Sequence, residues 1–271
     1  MELQNSLARI RERGLGLAAI SYDSTGILKN FSDRRGIKYP LLSDSGSKII
    51  RSFGILNPTV PAGNMAYGIP NPGTYILDAL GVVVAKYFED DYRERYTAGD
   101  ILLRKYGVEP PNHQTFSGKH VQLTVSSSDR SVLGGERVAL SIDVDLKPGL
   151  HVYAPGVEGY IPIEWTMKPA EAASVLPASF PPSKMLHLAA IDETVPVYQG
   201  HFRLTREIQW APEAKLKPLL DAGGQLTLEG ALRYQACDDR LCYIPETVPV
   251  KWTFQVGSHD RERAPAEIRH K

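Results

Sequence analysis

The stretch QLTLEGALRYQACDDRLCYIPETVPVKWTF, Gln225 to Phe254, contains both cysteines of the chain and the alternation that decides its fold. Leu226, Leu228, Leu232 and Tyr234 fall on even positions, a period of two that sends them to one face of a strand. Strand character resumes after Cys242. With Asp238-Asp239-Arg240-Leu241 between, the sequence predicts a hairpin whose four-residue loop is closed by Cys237 and Cys242. Directly opposed residues of an antiparallel pair have Cβ atoms about 4.5 to 5.5 Å apart, so modest adjustment reaches disulfide geometry. Parity puts Cys237 on the face opposite the even core positions, and that face is expected to be the more accessible.

The same alternation recurs outward from this hairpin, at Val121, Leu123 and Val125 and again at Val138, Leu140, Ile142 and Val144. Turn residues fall between such runs at Gly134-Gly135, Lys147-Pro148-Gly149, Pro181-Pro182 and Gly223-Gly224, and no long helical pattern intervenes. Residues 119–256 therefore read as an all-β antiparallel sandwich. About 140 residues enclose a core without needing a disulfide to hold it.

Residues 1–107 follow a different pattern. Leu3, Leu7 and Ile10 define an amphipathic helix over Glu2 to Arg13, and Leu15 to Ser21 is an apolar run suited to a strand buried on both faces. Asp23, Ser24 or Thr25 can cap a helix across Ile27 to Arg35, and Tyr39 to Leu42 and Lys48 to Phe53 repeat the strand and helix. Thr74 to Leu77 and Val82 to Tyr87 flank a turn, and a helix over Tyr96 to Tyr106 ends this α/β half. Residues 108–118, with Pro110-Pro111, read as an extended linker, and the polar tail 257–271 reads as disordered.

Composition excludes several classes of function. Among 271 residues, 31 Lys and Arg balance 31 Asp and Glu, which leaves no positive field to gather nucleic acid or an anionic membrane. The most apolar stretch, Tyr75 to Tyr87, is interrupted by Asp78, Gly81 and Lys86, so no membrane span is expected. The opening MELQNSLARIRERG has no apolar core or small-residue cleavage site, so no secretory signal is expected in the chain as given.

Chemistry then rests on the two thiols, and three readings are open. A structural staple closing about six residues gives only about 2 kcal/mol in the chain-entropy model. A zinc site needs two further ligands, from His151, His187, His201 or elsewhere, and none stands at ligand spacing nearby. Reversible thiol-disulfide exchange requires neither a metal nor an organic cofactor. Arg240 favours a thiolate while Asp238 and Asp239 oppose it, so the attacking cysteine stays open.

The stretch YQACDDRLCYIPETVPV, together with GLHVYAP and IDETVPVYQG, resembles the N-terminal periplasmic domain of DsbD-type thiol:disulfide interchange proteins, over about Lys119 to Val256. The resemblance implies an immunoglobulin-like sandwich. It also implies that Cys237 and Cys242 are a catalytic pair, taking electrons from a membrane-embedded or thioredoxin-like partner and passing them to oxidised periplasmic proteins. In such domains a cap loop shields the pair. Asp192-Glu193 resembles its acidic start, but Thr194 stands where an aromatic shield is expected, which leaves Tyr198 and Tyr243 as substitutes.

The first half, from AAISYDS, FSDRRGIKYPLLSD and NPGTYILDALGVVV, resembles AhpC/TSA redoxins of the thioredoxin-like superfamily, and Pro72 matches that superfamily's cis-proline beside the active site. The chain begins inside what resembles the helix that carries the reactive cysteine, so this domain is expected to lack its first strand and active-site turn. On that expectation, a longer parent would carry a thioredoxin-type site and an export signal. No cysteine occurs in residues 1–236, so peroxide reduction by this half is chemically unsupported. The expected protein is a thiol:disulfide oxidoreductase or electron relay of the periplasm or cell exterior. The alternatives are a noncatalytic binding module with a static clip, and a fragment of a longer peroxiredoxin-like antioxidant enzyme.

Overall fold

The computed structural model describes residues 2–88, 95–110, 112–188 and 192–269. Pro111 of the expected linker and Ile191 of the expected cap stretch lie outside the described residues. The chain divides into two compact units, Met1–Leu102 with His259–Lys271, and Leu103–Ser258.

The first unit follows its α/β pattern. Helix α1 (Glu2–Glu12) buries Leu7 and Ile10 of its apolar stripe, and β1 (Ala19–Ser21) leads into α2 (Thr25–Arg35). Of the three candidate caps it is Ser24 that acts: its Oγ accepts from the Ile27 N–H at 3.4 Å, and Gly36, at φ 62°, ends the helix in the left-handed region. Strand β2 (Leu41–Ser43) runs parallel to β1. Asp44 then accepts the backbone N–H groups of Lys48 and Ile50 to start α3 (Lys48–Ser52). Strands β3 (Gly73–Leu77) and β4 (Val83–Phe88) form the expected hairpin, and β5 (Arg95–Tyr96) and α4 (Ala98–Tyr106) follow.

Two expectations are corrected here. The apolar run from Leu15 yields only a three-residue strand, with Ile20 37% and Leu42 50% exposed, because a two-stranded sheet is too narrow to be covered on both faces. The polar tail, expected to be disordered, is tied into this unit: Asp260 accepts from the Arg35 Nε at 2.9 Å and pairs with Arg34 at 3.3 Å.

In the second unit the strands are β6 (His113–Ser117), β7 (Val121–Ser127), β8 (Ser131–Val132), β9 (Glu136–Leu146), β10 (His151–Tyr153), β11 (Glu164–Met167), β12 (Ala173–Ser179), β13 (Lys184–Leu188), β14 (Glu193–Gln199), β15 (His201–Trp210), β16 (Gln225–Tyr234), β17 (Ala236–Cys237) and β18 (Glu246–Val256). One sheet runs β12-β15-β9-β7-β6 and a second β11-β16-β18-β8. Their inner faces form one core, with Leu123, Leu140, Ile142 and Leu204 from the first and Leu228, Leu232, Trp252 and Phe254 from the second. Trp165 stacks on Trp252, and Trp210 meets Phe254 edge-on. This is the antiparallel sandwich that the alternation predicts, and the immunoglobulin-like one that the resemblance implies. Strand β6 arises within the stretch expected to link the halves. It is an edge strand with most of its residues exposed, which is why His113 to Ser117 show no apolar period.

A third sheet, β13-β14-β10-β17, positions the cysteines. Its two faces have different neighbours. Val152, Tyr198 and Ala236, mutually aligned across β10, β14 and β17, belong to the main core. Tyr153, Val197, Val195 and Cys237 form a second, small core with Val157, Tyr160, Leu186 and Leu188.

Candidate redox site

Strand β16 ends at Tyr234, opposite Glu246 in the sandwich, and two residues later the chain has changed sheets: Ala236 opposes Val152 of β10 and Cys237 opposes His151. Gln235 covers the transition, its Nε2 donating to the Tyr243 carbonyl at 3.0 Å. Cys237 and Cys242 then face each other as a single antiparallel bridge and are joined by a disulfide. Backbone hydrogen bonds from Asp238 N–H to Leu241 O (3.0 Å) and from Tyr243 N–H to Ala236 O (2.8 Å) close the expected hairpin on either side of the bond.

The Asp238 carboxylate shapes the loop. It accepts the N–H groups of Arg240 and Leu241 and the Tyr243 hydroxyl, and these bonds, the Arg240 N–H foremost, hold its carboxyl below the ordinary range. The loop thus keeps a negative charge beside the disulfide at neutral pH.

The two sulfurs differ in access. Cys237 is only 1% exposed, whereas Cys242 lies among exposed residues of the loop. This corrects the expectation of an accessible Cys237. Parity did turn it away from the main core, but Val195 and Val197 of β14, in the same sheet, share that face with it, and Val157 and Tyr160 of the segment after β10 pack against it. Exposure passes to Cys242, flanked by Leu241 (53% exposed) and Ile244 (90%).

The aromatic cover also differs from the expected one. Tyr153 donates its hydroxyl towards Cys242 Sγ at 3.6 Å, a long contact suited to sulfur, and Tyr160 stacks on Tyr153 with ring centroids 4.3 Å apart. The Tyr160 hydroxyl donates to Glu193 at 2.5 Å, which pushes its pKa up to about 12. Burial first, and the Glu193 charge second, raise the Tyr153 phenol as well, so both rings keep their protons.

Of the expected cap residues, Glu193 thus reaches the disulfide through two stacked tyrosines. Asp192 sits exposed at φ 55° with its carboxylate 3.8 Å from His187, and Thr194 bonds His187 at 3.4 Å. Tyr243 flanks the loop, stacked on His120, whereas Tyr198 is buried in the main core, stacked on Phe202 and donating to the Pro181 carbonyl. Tyr198 therefore shields nothing at the disulfide, because its even position faces the sandwich.

Pro72 belongs to the first unit, and its preceding peptide bond is trans, not cis as the resemblance implied. The Asn71 N–H bonded to Ile55 O and the bridge between Leu56 and Pro70 hold that backbone extended, and trans is the ordinary preference of a prolyl bond. The histidines weighed as zinc ligands are dispersed: His201 bonds Asp145, His187 lies by Asp192, and His151 alone is beside the cysteines.

Tyr153 and Tyr160 are site residues that the sequence reading missed, and His151 was weighed there only as a zinc ligand. Their signal was present in GLHVYAPGVEGY, since His151 and Tyr153 at i and i+2 share a strand face.

The comparisons with known proteins divide at the same place as the sequence. Residues 122–253 match the family model "Thiol:disulfide interchange protein DsbD, N-terminal", and residues 1–86 match that of the AhpC/TSA family. The second half is thus similar to DsbD N-terminal domains, and the first part to thioredoxin-like AhpC/TSA proteins.

Among individual relatives, the thiol-disulfide oxidoreductase ResA of Bacillus thuringiensis (strain Al Hakam) is 28% identical over 88 residues, 32% of this chain and 43% of ResA. Chloroplastic peroxiredoxin Q of Arabidopsis thaliana is 30% identical over 84 residues, 31% of this chain and 36% of that protein. The chain thus spans less than half the length of these relatives. Similar solved structures are the N-terminal periplasmic domain of ScsB from Proteus mirabilis (18% identity, TM-score 0.36, 58% of this chain and 53% of that one) and the reduced DsbD N-terminal domain of Neisseria meningitidis (13%, 0.28, 56% and 97%). Among the described residues no helix is long and apolar enough to cross a membrane.

Proposed function

We propose that the protein exchanges thiols and disulfides with partner proteins through Cys237 and Cys242. The observation that carries this reading is the asymmetry of the pair: an exposed sulfur, Cys242, bonded to a buried one, Cys237, across a short loop. An incoming thiolate reaches Cys242 first and forms a mixed disulfide there, and Cys237 leaves as the sulfur held inside the domain. In the reverse direction the Cys242 thiolate attacks a partner disulfide and Cys237 resolves the product. The Tyr153 hydroxyl, directed at Cys242 Sγ, polarises that sulfur towards an incoming thiolate and stabilises its charge when it is itself the attacking thiolate.

On this reading the reductant is a thioredoxin-like or membrane-embedded donor, the acceptors are oxidised extracytoplasmic proteins, and the reaction belongs to the periplasm or another extracytoplasmic compartment. The match of residues 122–253 to the DsbD N-terminal family supports this assignment. Differential alkylation with mass readout across buffered redox potentials is the test. Exchange requires the pair to titrate at potentials above about −300 mV. A pair still oxidised below that value would be a static clip, and the exchange reading would be abandoned.

A further inference from the structure

His151 opposes Cys237 directly across the β10–β17 pairing, so the two side chains leave the same face of the sheet, with Cβ atoms about 4.5 to 5.5 Å apart. Its ring meets Tyr153 edge-on at 5.5 Å. The residue is 1% exposed, and its Nε2 has no hydrogen-bond partner among the described residues. A buried, unpaired imidazole nitrogen is costly, and here it stands beside a sulfur that, as half of a disulfide, has no proton to offer.

We infer that His151 is the proton acceptor for Cys237 when the pair is reduced, switching the buried thiol to the thiolate that closes the disulfide. This rests on the exchange reading above. In that reaction the Cys242 thiolate attacks one sulfur of a partner disulfide, whose other sulfur leaves as a thiolate and takes up a proton. Cys237 S–H then passes its proton to the His151 imidazole, and the Cys237 thiolate attacks Cys242 Sγ. The second partner sulfur leaves and is protonated by the imidazolium. Two cysteine thiols lose two electrons to become a disulfide, and one partner disulfide becomes two thiols.

The groups facing the imidazole suit this role. Burial lowers its pKa below the ordinary 6.5, partly offset by Asp239 and Asp238 of the loop, so the ring is neutral and able to accept at pH 7. Tyr153 on its own strand stays protonated, and Gln199, opposite on β14, is uncharged. A thiol buried among Tyr153, Val195 and Val197 resists ionisation unaided.

The test uses the full chain, reduced and trapped as the mixed disulfide of Cys242 with glutathione, and follows closure to the Cys237–Cys242 disulfide by acid quench and mass readout from pH 5 to 9. In the parent protein the rate rises with pH and levels off above an inflection below 6.5. In His151→Phe it falls about 100-fold at pH 7, and its rise moves up to the thiol range near 8.5. A variant closing at the parent rate with the same inflection would overturn the role of His151 while leaving exchange intact. Failure of the parent protein itself to form the mixed disulfide would sink the exchange reading, and this inference with it. Should the variant misfold, the His151 ring is titrated by NMR in the unsubstituted protein. Its pKa must differ between the disulfide and dithiol forms, and equal values would overturn the proposal.

Discussion

Each residue around the disulfide acts on one sulfur. Tyr153 directs its O–H at Cys242, the exposed member of the pair, and burial keeps that phenol protonated well past the range in which thiols ionise. Tyr153→Phe keeps the ring, its stacking on Tyr160 and its place in the small core, and removes one hydrogen bond. A bond of about 0.5 to 1.5 kcal/mol corresponds to a two- to tenfold loss in the rate at which glutathione thiolate opens the disulfide. Because the phenol does not titrate between pH 6 and 9, the ratio of the two rates is expected to stay flat across that interval. Stopped-flow kinetics on the two proteins check both points, and a ratio collapsing towards one above pH 8 would show that the hydroxyl had ionised. At this scale the cysteines were legible, because they are the only two thiols in the chain and lie five positions apart, and Glu193 was legible only through the family resemblance of its stretch. Tyr153 and His151 were not, since an aromatic or histidine in a strand has the same pattern whether it faces a core or a sulfur.

At the scale of elements, the hairpin loop between Cys237 and Cys242 combines a rigid frame with an apolar rim. Asp238 fixes the frame through two backbone N–H groups and Tyr243, and Leu241 and Ile244 project on either side of Cys242. An isoleucine 90% exposed beside a sulfur able to exchange gains most of its burial only when a partner docks. Fully burying such a side chain is worth about 1.5 to 3 kcal/mol, so Ile244→Asp is expected to raise KM for a protein disulfide at least about tenfold. With glutathione, too small to cover the rim, the same variant should react at the parent rate. Equal loss with both substrates would mean that the substitution had disturbed the loop. The hairpin was readable from period-two strands around Asp-Asp-Arg-Leu. The third sheet was not, because β10 and β17 are three and two residues long and no periodicity shows in so short a run.

Across the whole molecule, the disulfide contributes little to holding the sandwich together. Its two main sheets meet through Trp165, Trp210, Trp252 and their neighbours, and the Cys237–Cys242 bond closes a loop of about six residues at the margin of that core. Replacing both cysteines with alanine should therefore abolish exchange yet lower the unfolding free energy of this unit by no more than about 2 kcal/mol. All three tryptophans lie in Leu103–Ser258, so denaturant titration followed by their fluorescence reads that unit alone. A drop of 5 kcal/mol or more would make the bond a structural staple. The sequence by itself determined the α/β and all-β halves, the hairpin and the pairing of its cysteines, because periodicity, turn residues and short-range spacing are local properties of a chain. Which sulfur meets solvent was decided only by tertiary structure. Burial of Cys237 depends on neighbouring strands of its sheet and on Val157 and Tyr160, far upstream in the chain, packing against its face, and local alternation records which way a side chain points without recording what is packed against it.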